Sequence, residues 1–281
     1  MCSFLSISVN SRGAVCYDDT SGWFLSKGCL FRNCVSQVDC GSMSIDAKEI
    51  KLTRSCHIHC DSRGDFPSFT LNVPEDTSKM NIFSWSTVAD CGRVLRSLEY
   101  FLQQFYGDQE TTNINCSNSF VQKSMGACFC RYNEIMAMYF NNFCNNIMPE
   151  LIHLHRFYSK TTKQSIELWN FINNSQPTGY ADFNTLIGLY NNYIEVSKFV
   201  VSDNAYKALY SASGATGTFI NTFFCRNSFK TTGAGCSSTL VIRLYNKCEL
   251  SSRFSKQKDD RSFWVLYAIL FFRKEGPFKA Q

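Results

Sequence analysis

Proline is scarce in this chain, with five in 281 residues, and histidine is scarcer, with four. A composition with so little proline and only 18% charged residues is that of a folding chain, which excludes a disordered tail or linker. No apolar run reaches the roughly twenty residues a membrane-spanning helix needs. The most apolar one, Phe263 to Phe272, is bounded by Arg261 and Arg273 and reads as a buried strand. Met1 to Asn10 lacks the basic start and apolar core of a secretory signal, so a cytoplasmic or nuclear setting is expected. Also absent are a Gly-x-Ser-x-Gly elbow and a Gly-Lys-Ser/Thr after Gly214-Ala215-Thr216-Gly217 or Gly233-Ala234-Gly235. These absences exclude a serine-hydrolase elbow and a phosphate loop.

What is present suits a real hydrophobic core: 44% hydrophobic residues, 25 of the 281 being Phe. The net charge of +5 is carried by the end of the chain, where Arg243 to Gln281 holds nine Lys or Arg against four acids. Within it Arg253, Lys256, Lys258 and Arg261 flank a predicted turn and are the candidate phosphate contacts for a nucleic-acid partner. The neighbouring aromatics Phe263, Trp264, Phe271 and Phe272 fall on the predicted strand, where core packing is their expected use.

Hydrophobic spacing predicts an α+β protein built as one compact unit. Residues 1–85 read as a Cys-rich region of short strands and turns, with apolar pieces separated by Gly, Ser and Asp. In residues 86–211 the spacing lengthens: Val88, Cys91, Leu95, Leu98, Leu102 and Phe105 follow Ser86 at helical intervals, as do Ile135, Tyr139 and Phe143. Two more helices are predicted around Ser165 to Ile172 and Asp182 to Val200, which makes this centre mainly helical. Residues 212–281 return to strands, at Thr218 to Cys225, Ser238 to Tyr245 and Phe263 to Phe272. No internal repeat is evident. Strands and helices segregate instead of alternating, which favours α+β over a doubly wound sheet.

The densest chemistry is Cys56-His57-Ile58-His59-Cys60. With Cys29, Cys34 and Cys40 it supplies seven thiolate or imidazole candidates for a zinc ion, which needs four in a tetrahedron. On an uninterrupted strand His57 and His59 would share one face, with Cys56 and Cys60 on the other. The two remaining histidines form a second pair, His153-Leu154-His155. The alternative use of these cysteines is as small buried hydrophobes. An odd total of 15 cysteines does not close fully into intramolecular disulfides, so a secreted disulfide-bonded surface protein is the less favoured class.

The segment Gly28-Cys29-Leu30-Phe31-Arg32-Asn33-Cys34-Val35-Ser36 resembles the nucleophile segment of OTU-type cysteine proteases. There a Cys follows a Gly-containing turn and begins a helix. Here Lys27-Gly28 abuts Cys29 directly and the acid of that turn is missing. The resemblance implies a cysteine hydrolase with Cys29 as nucleophile and His153 or His155 as its base. With no complete catalytic set in the sequence, the expected function is a non-enzymatic intracellular binding or regulatory protein. It would be zinc-stabilised through Cys29 to Cys60 and would contact nucleic acid or a protein.

Overall fold

The computed structural model describes residues 2–229, apart from residues 65, 67, 76–78, 93–100, 123–124, 132–135, 157–163, 179–184, 192, 214 and 221. The described residues belong to one compact unit, Met1–Asn246. Among them every element is a strand, and every strand pairing is parallel, which corrects the α+β expectation and its helical centre. The chain winds as a parallel β-solenoid. The predicted strands at 238–245 and 263–272 and the basic residues Arg253, Lys256, Lys258 and Arg261 lie outside the described residues. Among the described residues no helix is long and apolar enough to cross a membrane.

Nine turns are counted by the nine-stranded sheet: Cys2–Leu5, Cys29–Arg32, Cys56–Ile58, Thr87–Ala89, Asn115–Ser117, Asn142–Cys144, Asn170–Ile172, Val200–Ser202 and Phe223–Cys225. A fourteen-stranded sheet supplies two further faces, joined where Val15–Lys27 and Met43–Thr53 run through both. Its first arm continues through Phe69–Asn72, Leu102–Phe105, Met125–Arg131, Glu150–Arg156, Thr185–Tyr190 and Ala208–Ser213. The second continues through Met80–Ser84, Asp108–Thr112, Met136–Tyr139, Gln164–Glu167, Tyr193–Ser197 and Thr216–Ile220. A short third sheet of Ser8–Val9, Val35–Ser36 and Asp61–Ser62 follows the nine-stranded one. Single bridges linking Phe120, Ile147, Ser175 and Ala205 carry the same corner onward.

The helical spacing has a physical source in the corners. Between Gln164–Glu167 and Asn170–Ile172, Leu168 takes a left-handed conformation (φ 60) and turns the chain. Ile166, Trp169 and Phe171 therefore all point into the core. A step of three across each corner interrupts the steps of two along each strand, and the i, i+3 pairs so produced read as helical spacing. The same holds around Val196, Phe199 and Val201, three buried residues spanning the left-handed Lys198 (φ 57).

From Cys29–Arg32 onward, each strand of the nine-stranded sheet is followed by a second left-handed residue, mostly Asn or Asp, the types that tolerate this conformation. These are Asn33, His59, Asp90, Asn118, Asn145, Asn173, Asp203 and Arg226. The next residue turns inward and forms a ladder along the solenoid: Cys34, Cys60, Cys91, Ser119, Asn146, Asn174, Asn204 and Asn227. From Cys60 to Asn204, the backbone N–H of each rung donates to the side chain of the following one. Cys60 donates to Cys91 Sγ at 3.3 Å, Cys91 to Ser119 Oγ at 3.3 Å and Ser119 to Asn146 Oδ1 at 3.0 Å. Asn146 donates to Asn174 Oδ1 at 2.9 Å, Asn174 to Asn204 Oδ1 at 3.0 Å and Asn204 to Asn227 Oδ1 at 3.0 Å. Each Asn amide nitrogen from Asn174 onward also holds a carbonyl of the previous turn, as Asn174 Nδ2 does with Phe143 O at 2.9 Å. A buried amide left unpaired costs about 1–3 kcal/mol, so this saturation decides whether the corner closes.

Inside, the column Phe4, Phe31, His57, Val88, Cys116, Phe143, Phe171, Val201 and Phe224 stacks turn on turn. Phe31 and His57 lie parallel with centroids 5.0 Å apart, and Phe143 and Phe171 at 5.6 Å. His57 is thus a core ring. Its Nδ1 meets Ser42 Oγ at 2.8 Å and its Nε2 meets Ser55 Oγ at 3.0 Å. Burial pulls its pKa down to about 3, so the imidazole is neutral.

Candidate functional site

The residue after each ladder rung faces outward at the corner, in the column Phe120, Ile147, Ser175 and Ala205. Phe120 and Ile147 belong to adjacent turns, so two large apolar side chains follow one another along the surface. Together with Gln122, Ser175, Gln176, Pro177 and Thr178 they line an open groove. Ile147 is 37% exposed on its wall. The Gln176 Oε1 oxygen is shielded from solvent and has no hydrogen-bond partner. A groove walled by Phe120, Ile147 and Pro177, with one unsatisfied acceptor among its four polar residues, is matched by a ligand that brings an apolar group and an N–H or O–H donor.

A second constellation lies on the outer face of the first arm. His153 and His155 alternate with the core residues Ile152 and Leu154, which fixes their outward direction. Glu150 Oε1 accepts from His153 Nδ1 at 2.8 Å, and Glu150 Oε2 accepts from Thr185 Oγ1 at 3.2 Å. The carboxylate lies over Gly188, the register partner of His153, where any Cβ would collide with it. Tyr190 faces His155 in register and packs on His153 with centroids 4.4 Å apart. Burial, and after it the Glu150 charge, raises the Tyr190 pKa. Sequence reasoning identified the histidine pair but missed Glu150, Thr185 and Tyr190, because the contact follows from strand register between turns.

The seven N-terminal metal candidates are dispersed by the same geometry. Cys29 opens a strand and shares a 3.1 Å hydrogen bond with Ser26, and Cys40 is buried against Thr70 at 3.5 Å. Burial pushes the Cys40 thiol up to about 12. Cys34 and Cys60 are ladder rungs, and the hydrogen bond between them pulls Cys34 down to about 7 while burial drives Cys60 up. Cys56 opens the next strand, His57 is in the core, and His59 occupies the exposed left-handed corner (φ 50). The expectation that His57 and His59 share a face is corrected by that corner, which ends the strand at Ile58. Among the described residues no three of His, Cys, Asp and Glu come together to hold a metal ion, which overturns zinc binding by this cluster.

The OTU-like segment is this solenoid's own repeating element. Gly28 is a left-handed corner (φ 71), Cys29 begins a strand in place of a helix, and Asn33-Cys34 is the corner and rung pair. His153 and His155 lie four turns further on, roughly 19 Å along the axis at the usual strand spacing. The structure therefore does not bring Cys29 to either histidine, nor His57 and His59 to the second pair. No protein-family model, curated protein or solved structure matches this chain.

Proposed function

We propose that this chain is a non-enzymatic binding protein that holds a segment of a protein partner in the groove formed by Phe120, Ile147, Ser175, Gln176 and Pro177. The observation that carries this reading is the unpaired Gln176 Oε1 in a groove where Phe120, Ile147 and Pro177 stand beside the polar Gln122, Ser175 and Thr178. A partner backbone N–H beside an apolar side chain satisfies both halves of that surface. Support also comes from the scaffold. A solenoid saturated by its own ladders presents its corners rigidly, which lowers the ordering cost of association.

A photo-crosslinking residue at position 147, with another at the exposed position Lys51 on a different face, tests the proposal in extracts of the native source. A discrete, protease-sensitive adduct from position 147 and not from 51, weakened by Gln176→Ala, is the expected result. A nuclease-sensitive adduct would make the partner nucleic acid. Identical adducts from both positions, or none from 147, would overturn the reading.

A further inference from the structure

We propose that the first turn of the solenoid is a self-association surface, on which a second copy of this chain pairs its own Val15–Lys27 edge antiparallel to that of the first. The surface stands apart from the corner groove, which belongs to turns further along. Among the described residues Cys2–Leu5 and Val15–Lys27 each pair with a neighbouring strand on one side only. At roughly 3.3 Å per residue, Val15–Lys27 alone offers about 40 Å of open edge, a row of backbone donors and acceptors ready for another strand. The core loses its cover at the same place. Phe4, Tyr17 and Phe24 lie opposite Phe31, Ile45 and Ile50 in register. The second-turn members of these pairs are at most 1% exposed, while the first-turn members pack on the core and stay only partly buried. A terminal turn that faces water needs a polar outer surface, and this one ends in an apolar plate.

The half of that edge from Trp23 to Lys27 fits a second copy of itself. Phe24 and Ser26 oppose the core residues Ile50 and Leu52, so Trp23, Leu25 and Lys27 point outward together. Trp23 is 64% exposed and Leu25 68%, and Lys27 is the one charge in a stretch that has no proline. Edges that stay single are kept apart by charge, proline or shortness, so two large apolar side chains here mark a contact. Two copies of one surface associate about a two-fold axis, which runs the strand antiparallel to its own copy. With that axis at Leu25, the two Leu25 side chains meet, and Trp23 of each protomer lies opposite Lys27 of its partner, an indole face against an ammonium. A register shifted toward Asp19 would run into the break in pairing between Asp19 and Trp23. A foreign strand would satisfy the backbone edge; a second copy also supplies the lysine for the tryptophan in both halves.

Sedimentation equilibrium of the full chain over a wide concentration range tests the pairing. A reversible dimer is expected for the wild type. Leu25→Arg sets two like charges face to face on the axis and should weaken the dimer by on the order of 100-fold or more. Met80→Arg, at an exposed apolar position two strands away on the same outer face, should leave it intact. Should Leu25→Arg fail to fold, Leu25→Cys in a Cys2→Ser and Cys16→Ser background decides. Mild oxidation with diamide should join two folded protomers through position 25, while Met80→Cys in that background stays unlinked. A wild type that remains monomeric, assembles beyond two protomers, or dimerises as tightly with Leu25→Arg would refute the proposal, as would a Leu25→Cys protein that stays unlinked.

Discussion

Acidification should selectively destabilise the N-terminal turns through His57. Its imidazole is enclosed between Phe31 and Phe69, at 5.0 Å and 4.7 Å, and its hydrogen-bond partners are the hydroxyls of Ser42 and Ser55. None of these carries a charge, so protonation in place would bury an uncompensated cation. The folded pKa of about 3 lies below the value of about 6.5 expected in the unfolded chain. The unfolded state therefore binds the proton first. This contribution is fully present above pH 6.5 and is lost as pH falls from there towards 3. Between pH 7 and pH 5 the loss works out at about 2 kcal/mol, and it approaches a limit of roughly 4 to 5 kcal/mol at lower pH. Urea unfolding of the wild type and of His57→Phe at both pH values isolates it, because all other titrating groups cancel in the difference. Phe fits the aromatic column, and Ser42 Oγ keeps its bond to Ser68 O at 2.7 Å. If the two proteins lose stability in parallel between pH 7 and 5, His57 is not a neutral core ring.

Asn174→Leu should lower stability by roughly 2 to 4 kcal/mol, since it leaves the Asn146 N–H and the Phe143 carbonyl buried and unpaired; chemical denaturation checks this. Gly188→Ala should cost about 1 to 3 kcal/mol and displace the Glu150 carboxylate, visible as a changed His153 ring signal by NMR. In native-state iodoacetamide labelling the exposed Cys2 and Cys16 should react first, and the buried Cys40, Cys60 and Cys116 should stay silent until unfolding. Cys29 should label no faster than Cys2; a rate far above the rest would restore the hydrolase reading.

The strands were legible where alternation runs on one face, as at Phe69 to Asn72. They were illegible where corners intervene, because Ile166, Trp169 and Phe171 reach one core by turning the backbone at Leu168. The repeat was hidden by its irregular length. Successive ladder residues are separated by 31, 28, 27, 28, 30 and 23 residues. Its chemistry also drifts from Cys to Ser to Asn, so self-similarity at a fixed offset does not appear. The signal that survives is local: an apolar strand, a residue tolerant of left-handed backbone, then Cys, Ser or Asn. Phe31-Arg32-Asn33-Cys34, Val88-Ala89-Asp90-Cys91, Phe171-Ile172-Asn173-Asn174 and Val201-Ser202-Asp203-Asn204 all carry it. The cysteines and histidines at 56 to 60 stood out as a metal motif because one copy of this element fills its positions with ligand-type residues. The Glu150 and His153 pair was invisible for a different reason: at three residues' separation, nothing in one strand says that Thr185 and Gly188 of the next turn will hold the carboxylate.

The change of chemistry along the ladder sets how the molecule responds to tension. Turns stacked in one dimension bear axial force in series, so the least strongly joined pair yields first. Asn146, Asn174 and Asn204 each send two hydrogen bonds to the next rung, from the backbone and from the side-chain amide. Cys60 and Cys91 each send one, at 3.3 Å. A stretched molecule therefore parts among its sulfur rungs, while the amide-tied turns that carry the histidine pair and the corner groove separate last.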